Sequence, residues 1–157
     1  MPLLIAVLAF LFNVMNGYIN GTYFGSIQEY SAEYMSNWNF IVGVCLFIIG
    51  AYINIKSDNI LLSLRSKSGE YKIPEGFMFK YVSFPNYLGE IILWLGISVM
   101  SFSNLVGLQY ITLISPIFTY WLIVYISGVS MLEKSGQEKW GHLNEYQDYI
   151  KKTPKLF

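Results

Sequence analysis

The chain has 157 residues, with ten basic and ten acidic side chains for a formal net charge of zero. Hydrophobic residues make up 54% and charged residues 13%, against about 25% charged in soluble domains, and mean hydropathy is +0.44. Nothing in that balance supports nucleic-acid binding. A single cysteine, Cys45, excludes an internal disulfide and a cysteine-based metal cluster, and a single histidine, His142, is too little for a histidine-built metal site.

Four apolar segments follow one another along the chain. The first, LLIAVLAFLF, covers 3–12 and extends toward Met15. It is short for a full membrane span. A linker, 16–37, is rich in Tyr, Gly and Asn and reads as an interfacial cap. The second segment, FIVGVCLFIIGAYINI, covers 40–55, with Trp38 as an interface anchor. A loop over 66–76, SKSGEYKIPEG, carries Gly, Pro and charge. The third segment runs from Ile91 to Met100 and starts near Asn86. The fourth runs from Tyr110 to Ile126. Ser101, Ser103, Asn104 and Gly107 mark a turn between the last two, which predicts a helical hairpin. The expected class is an all-α integral membrane protein, one domain over 1–157 with about four transmembrane helices.

The basic residues fall in two groups. Lys56, Arg65, Lys67, Lys72 and Lys80 lie within 56–80, and Lys134, Lys139, Lys151, Lys152 and Lys155 lie in the tail. Four spans put both groups on one side, and the excess of positive charge makes that side cytoplasmic.

Polar residues at the ends of the apolar runs are the candidate site. Asn54 and Asp58 are four apart and Arg65 is eleven after Asn54, so a continuous helix sets an amide, a carboxylate and a guanidinium on one face. A solvated helix end with an acid–base pair accounts for the same pattern. Asn86 and Glu90 also share a face. Asn86 after Pro85 reads equally as a helix N-cap, whereas Glu90 leads directly into apolar residues, where a carboxylate is costly and usually has a task. Tyr71 and Lys72 could stack a ring and bind phosphate, or simply form a solvated loop. Trp94 is a core, lipid-facing or ligand-facing ring, and Glu133 is a solvated helix end or the rim of a pocket. No dinucleotide fingerprint, phosphate loop or zinc-protease motif is present.

The motifs NGYINGTYF, NIKSDNILLSLR, YKIPEG and PNYLGEIILWLG, in that order, resemble the steroid 5-alpha-reductase family of membrane enzymes. The resemblance runs from Met1 to about Gly96. The C-terminal part is more similar to a bacterial branch of membrane reductases of the DUF1295 type. The resemblance implies NADPH-dependent reduction of a carbon–carbon double bond conjugated to a carbonyl, in a steroid-like or other lipid enone. It implies cofactor contacts at Asn54, Asp58, Arg65, Tyr71, Lys72, Asn86, Glu90 and, more loosely, Glu133, and a substrate-pocket role for Trp94. It also implies a fold of roughly seven helices, of which this chain would be the later ones. The family's carbonyl-polarising pair would then lie upstream of Met1, leaving the catalytic residues unknown. A truncated reading frame, a second chain supplying the missing helices, or a degenerate relative are the expected explanations, the first being favoured. An isoprenylcysteine-type methyltransferase using S-adenosylmethionine and a non-enzymatic membrane scaffold are the competing functions. The expected location is a bacterial inner membrane or the endoplasmic reticulum membrane.

Topology is directly testable. In a background without Cys45, cysteines placed at Ser68 and Ser135 should label from the same, cytoplasmic side. Labelling from opposite sides contradicts the four-span arrangement.

Overall fold

The computed structural model describes residues 2–26, 32–64 and 72–156. Among them the chain is helical, with no strand. The principal helices are α1 (Pro2–Ser26), α2 (Ala32–Ser36), α3 (Trp38–Leu64), α4 (Pro85–Ser101), α5 (Ile114–Trp121), α6 (Val129–Trp140) and α7 (Asn144–Lys152). A 3-10 turn at Phe77–Lys80 precedes α4, a second at Phe102–Asn104 ends it, and a third at Gly107–Leu113 leads into α5. A π-helical stretch, Leu122–Ser127, joins α5 to α6.

Among the described residues, two stretches are long and apolar enough to cross a membrane, Trp38–Leu64 and Gly107–Trp140. The helix α4, of 17 residues, is about 25 Å long, close to the thickness of the hydrocarbon layer. It begins at Pro85, whose fixed φ suits a first helical position and whose missing N–H has no partner to lose there. It ends where Phe102–Asn104 tightens into a 3-10 turn and Leu105 turns extended. The hairpin turn expected near 101–107 is present.

The helix α1 is longer than the apolar segment that announces it. It runs on through Asn16, Gly17 and Asn20 to Ser26, where an interfacial linker was expected. The reason is a buried stripe. Phe12, Asn16, Asn20 and Tyr23 are all buried at spacings of four, four and three, one face of a helix. Asn20 Nδ2 donates to Ser115 Oγ of α5 at 3.1 Å, Ser115 Oγ donates to Asn16 Oδ1, and the Tyr23 hydroxyl donates to the Ser101 carbonyl at 3.2 Å. Hydrogen bonds between helices, rather than apolar burial, fix this half of α1.

The centre of the fold is the antiparallel pair α3–α4. Gly43 and Gly50 on α3 are seven residues apart, as are Gly89 and Gly96 on α4. A Cβ on Gly50 would meet the Leu93 nitrogen at 2.5 Å and the Gly89 carbonyl at 2.6 Å; one on Gly89 would meet the Asn54 nitrogen at 2.5 Å. Gly96 stands in the same relation to Phe47 and Gly43. At Gly50, Gly89 and Gly96 backbone meets backbone, and Gly43 also admits the Met100 side chain; a seven-residue spacing keeps that seam facing the partner. Asn39 closes one end by donating to Ser103 Oγ at 2.9 Å and the Val99 carbonyl at 3.2 Å. Asn54 closes the other by donating to the Asn86 carbonyl at 3.0 Å.

Gly50→Ala therefore forces backbone apart and should destabilise the protein by about 1–3 kcal/mol or more. Gly25→Ala meets nothing within 4 Å and should be neutral or stabilising by up to about 1 kcal/mol. Thermal unfolding followed by circular dichroism in detergent checks both; equal melting temperatures would mean that the seam tolerates a side chain.

Candidate functional site

The far end of α3 and the first turn of α4 form one wall of the site. The seam brings Asn54 against the start of α4, and its amide takes the Asn86 carbonyl. Asn86 is the second residue of α4, not its N-cap: Phe84 occupies that position without any side-chain cap. The chain entering α4 is tied instead by the tail. The Ser83 and Phe84 N–H groups donate to the carbonyls of Pro154 at 2.8 Å and Lys155 at 3.2 Å, and Ser83 Oγ donates to the Thr153 carbonyl at 3.1 Å. Freed from capping, Asn86 leaves its Oδ1 buried without a partner among the described residues. Such an atom is costly unless something else satisfies it.

The opposite wall is α6, α7 and the tail. Gly128 ends the π-helical stretch, its N–H donating to the Ile123 carbonyl five residues back at 3.0 Å. A side chain there would meet the same carbonyl at 2.6 Å. The extra residue in that turn reorients α6, which then presents Leu132, Glu133, Gly136 and Trp140 inward. Gly136 lies directly under the Tyr146 hydroxyl, where a Cβ would collide with it. The Glu133 carboxylate accepts from Lys155 Nζ at 2.8 Å, the one ion pair among the described residues. Leu156 is buried with Ile123 and Val129, with Tyr87 packed on them.

Between the walls lies a cavity of about 820 Å³, within the size range of ligand pockets. Asp58, Lys72, Asn86 and Glu133 all line it. These four come from four separate parts of the chain, and each is a sequence-derived candidate. Asn54 stands behind the wall, holding Asn86. Glu90 lies one turn further along α4, half-buried, off the cavity wall and without a hydrogen bond or ion pair among the described residues. Trp94 also lies off this cavity. It packs edge-on against Phe12 of α1 at 6.4 Å between ring centres. Arg65 and Tyr71 lie outside the described residues.

Aromatic groups that the sequence reading passed over complete the wall: Tyr87, Trp140, Tyr146 and Tyr149. The spacing of Tyr146, Tyr149 and Ile150 on an otherwise charged helix was the available signal. Burial pushes the Tyr149 phenol above its ordinary range, with a side-chain hydrogen bond to Ser83 working the other way. Burial, and then the Glu133 charge, do the same to Tyr146. Both stay neutral at physiological pH, giving the wall hydroxyl donors and stacking faces beside two carboxylates, an amide and an ammonium. That set suits a polar ligand carrying a ring, hydroxyls and an anionic group.

A family profile described as 3-oxo-5-alpha-steroid 4-dehydrogenase matches residues 1–131. Steroid 5-alpha-reductase DET2 of Solanum lycopersicum is 45% identical over 102 residues, 65% of this chain and 40% of that protein. The 3-oxo-5-alpha-steroid 4-dehydrogenase 2 of Sus scrofa is 46% identical over 104 residues, 65% of this chain and 41% of that protein. The 3-oxo-5-alpha-steroid 4-dehydrogenase 1 of Bos taurus is 35% identical over 153 residues, 96% of this chain and 54% of that protein. The chain thus spans about half the length, or less, of these curated relatives.

The tail is part of the cavity's frame, so Leu156→Ala should act at a distance. It removes a buried side chain and should cost about 2–4 kcal/mol of stability. Lys155→Ala breaks only a pair whose lysine is 60% exposed, and should cost less than about 1 kcal/mol. Paired thermal melts check the ranking; a larger loss for Lys155→Ala would contradict it.

Proposed function

The chain belongs to the 3-oxo-5-alpha-steroid 4-dehydrogenase family, and on that footing we propose that its large cavity holds the NADPH of a membrane enone reductase. The substrate class is a steroid-like lipid with a carbon–carbon double bond conjugated to a ketone. The observation that carries this reading is the convergence of Asp58, Lys72, Asn86 and Glu133, from four chain segments, on one cavity.

The residues present fit such a cofactor. When bound, a reduced nicotinamide supplies the hydride for the β carbon of the enone. The orphaned Asn86 Oδ1 is an acceptor for an amide N–H, such as that of a carboxamide. Asp58 is an acceptor for ribose hydroxyls, and Lys72 is a cation for phosphate. Asn54 keeps Asn86 in place through its backbone carbonyl, so it orients rather than touches. By the family resemblance Arg65 would add a second cation and Tyr71 a second stacking face, while Glu90 and Trp94 stand off this cavity and take no direct part in holding the cofactor there. The basic segments at 56–80 and in the tail belong on the cytoplasmic side, where the cofactor is found.

The purified chain in detergent should bind NADPH, read by tryptophan fluorescence, since Trp140 lines the cavity. Asn86→Leu should weaken binding about tenfold, the scale of one hydrogen bond to a buried partner. Arg65→Ala should weaken NADPH more than NADH, because a guanidinium grips the additional phosphate with paired hydrogen bonds. Absence of binding by the unmodified chain, or unchanged affinity in both variants, would sink the assignment.

A further inference from the structure

Away from the cavity, the basic end of α3 carries a cluster that the proposed reaction does not use. Lys56 Nζ donates to the Tyr52 hydroxyl at 2.9 Å and lies 4.5 Å from the centre of the Phe77 ring and 5.2 Å from that of Tyr52. The two rings meet edge to face at 5.8 Å. Phe77 opens a 3-10 turn that ends at Lys80. The turn packs on α3 through Phe77, and Lys80 lies three residues further along it. Lys80 Nζ in turn lies 4.7 Å from the Tyr81 ring centre.

Three features separate this cluster from an ordinary solvated surface. First, neither ammonium has an anionic partner: the single ion pair among the described residues is Lys155–Glu133, and Glu75, the nearest acid in sequence to Phe77, pairs with neither. Secondly, Phe77 has a φ of +44°, the one non-glycine residue on the positive side among the described residues. A bulky residue is held there only when its surroundings fix it, and what the strain achieves is to set the ring beneath Lys56. Thirdly, the cluster sits at a defined depth. Trp38 is 71% exposed at the start of α3, as an interface anchor requires. Lys56 is eighteen residues further along, about 27 Å by helical rise and close to one hydrocarbon thickness. Tyr52 and Tyr81, both more than half exposed, lie beside its two ammonium groups.

We propose that Lys56, held over Phe77, and Lys80, held over Tyr81, bind the headgroup phosphate of an anionic phospholipid. Ammonium groups spread over aromatic rings at the edge of the apolar layer, with no carboxylate among the described residues paired to them, are complemented by a phosphate held at that depth by its acyl chains. The rings restrict the lysine stems, so less rotamer freedom is lost when the phosphate arrives.

The test is lipid capture by the full chain in nanodiscs of phosphatidylcholine doped with phosphatidylglycerol, with co-purifying lipid counted by native mass spectrometry. Phosphatidylglycerol should be enriched over phosphatidylcholine, with Lys56→Gln and Lys80→Gln each lowering the enrichment about fivefold. Lys56→Arg should preserve it, which separates loss of charge from loss of fold. Lys151→Gln with Lys152→Gln, a basic pair in the tail, should leave it unchanged. Free glycerol phosphate at millimolar concentration should not displace the lipid. Unchanged enrichment in both cluster variants, an equal loss in the tail pair, or displacement by free glycerol phosphate would each overturn the proposal.

Discussion

Backbone contact between α3 and α4 is the constraint from which the rest of the architecture follows. Within an apolar solvent, burial of apolar surface does not drive helices together, so close packing and polar bonds must. Gly43, Gly50, Gly89 and Gly96 allow the two helices to approach until carbonyl oxygens lie against the opposite Cα positions. At that range weak Cα–H···O contacts add to dispersion. The asparagines at the two ends, Asn39 and Asn54, convert a sliding contact into a fixed register, because each amide finds its backbone acceptor in one alignment only.

That register decides the chemistry at the basic end. It sets Asp58 and Asn86 on one surface although they are far apart in sequence, and it leaves Asn86 with a spare acceptor. Everything facing that surface arrives by another route: a π-helical stretch that turns α6, a glycine that admits the Tyr146 hydroxyl, and a tail that hydrogen-bonds to the entry of α4. The family match ends at residue 131, within α6, so most of this second wall lies beyond it.

The third and fourth apolar segments and the turn between them were readable from apolar runs and breakers, because burial in an apolar environment and hydropathy measure nearly the same thing; the second was readable as a helix, but it spans Trp38–Leu64 rather than 40–55. Asp58, Asn86 and Glu133 stood out as charged and amide groups at the ends of such runs, and Lys72 as a loop cation; all four line the cavity. What escaped was written in other terms. The second half of α1 is held by Asn16, Asn20 and Tyr23, so its inward face looks polar and reads as a linker. The α3–α4 seam consists of residues without side chains, visible only as glycines repeated at seven on both helices. Asn86 was open to reading as a cap, yet Phe84 holds that position, and the entry to α4 is tied by Ser83 and Phe84 N–H bonds to tail carbonyls rather than by a capping side chain. Tyr146 and Tyr149 sit on a helix dominated by charge, where two tyrosines are easily taken for surface residues.

The two walls of the cavity also differ in compliance. The α3–α4 wall has no side chains at its contact to re-pack, so it can neither slide by part of a turn nor breathe without breaking backbone contact. The α6–α7 wall rests on a small apolar cluster of Ile123, Val129 and Leu156, one ion pair with an exposed lysine, a few tail hydrogen bonds and a helix segment wound with one residue too many, from which a turn can relax to ordinary helix. The cavity therefore behaves as a vice with one fixed jaw. Whatever enters is measured against Asp58 and Asn86, and the accommodation is made on the side of Glu133 and Trp140.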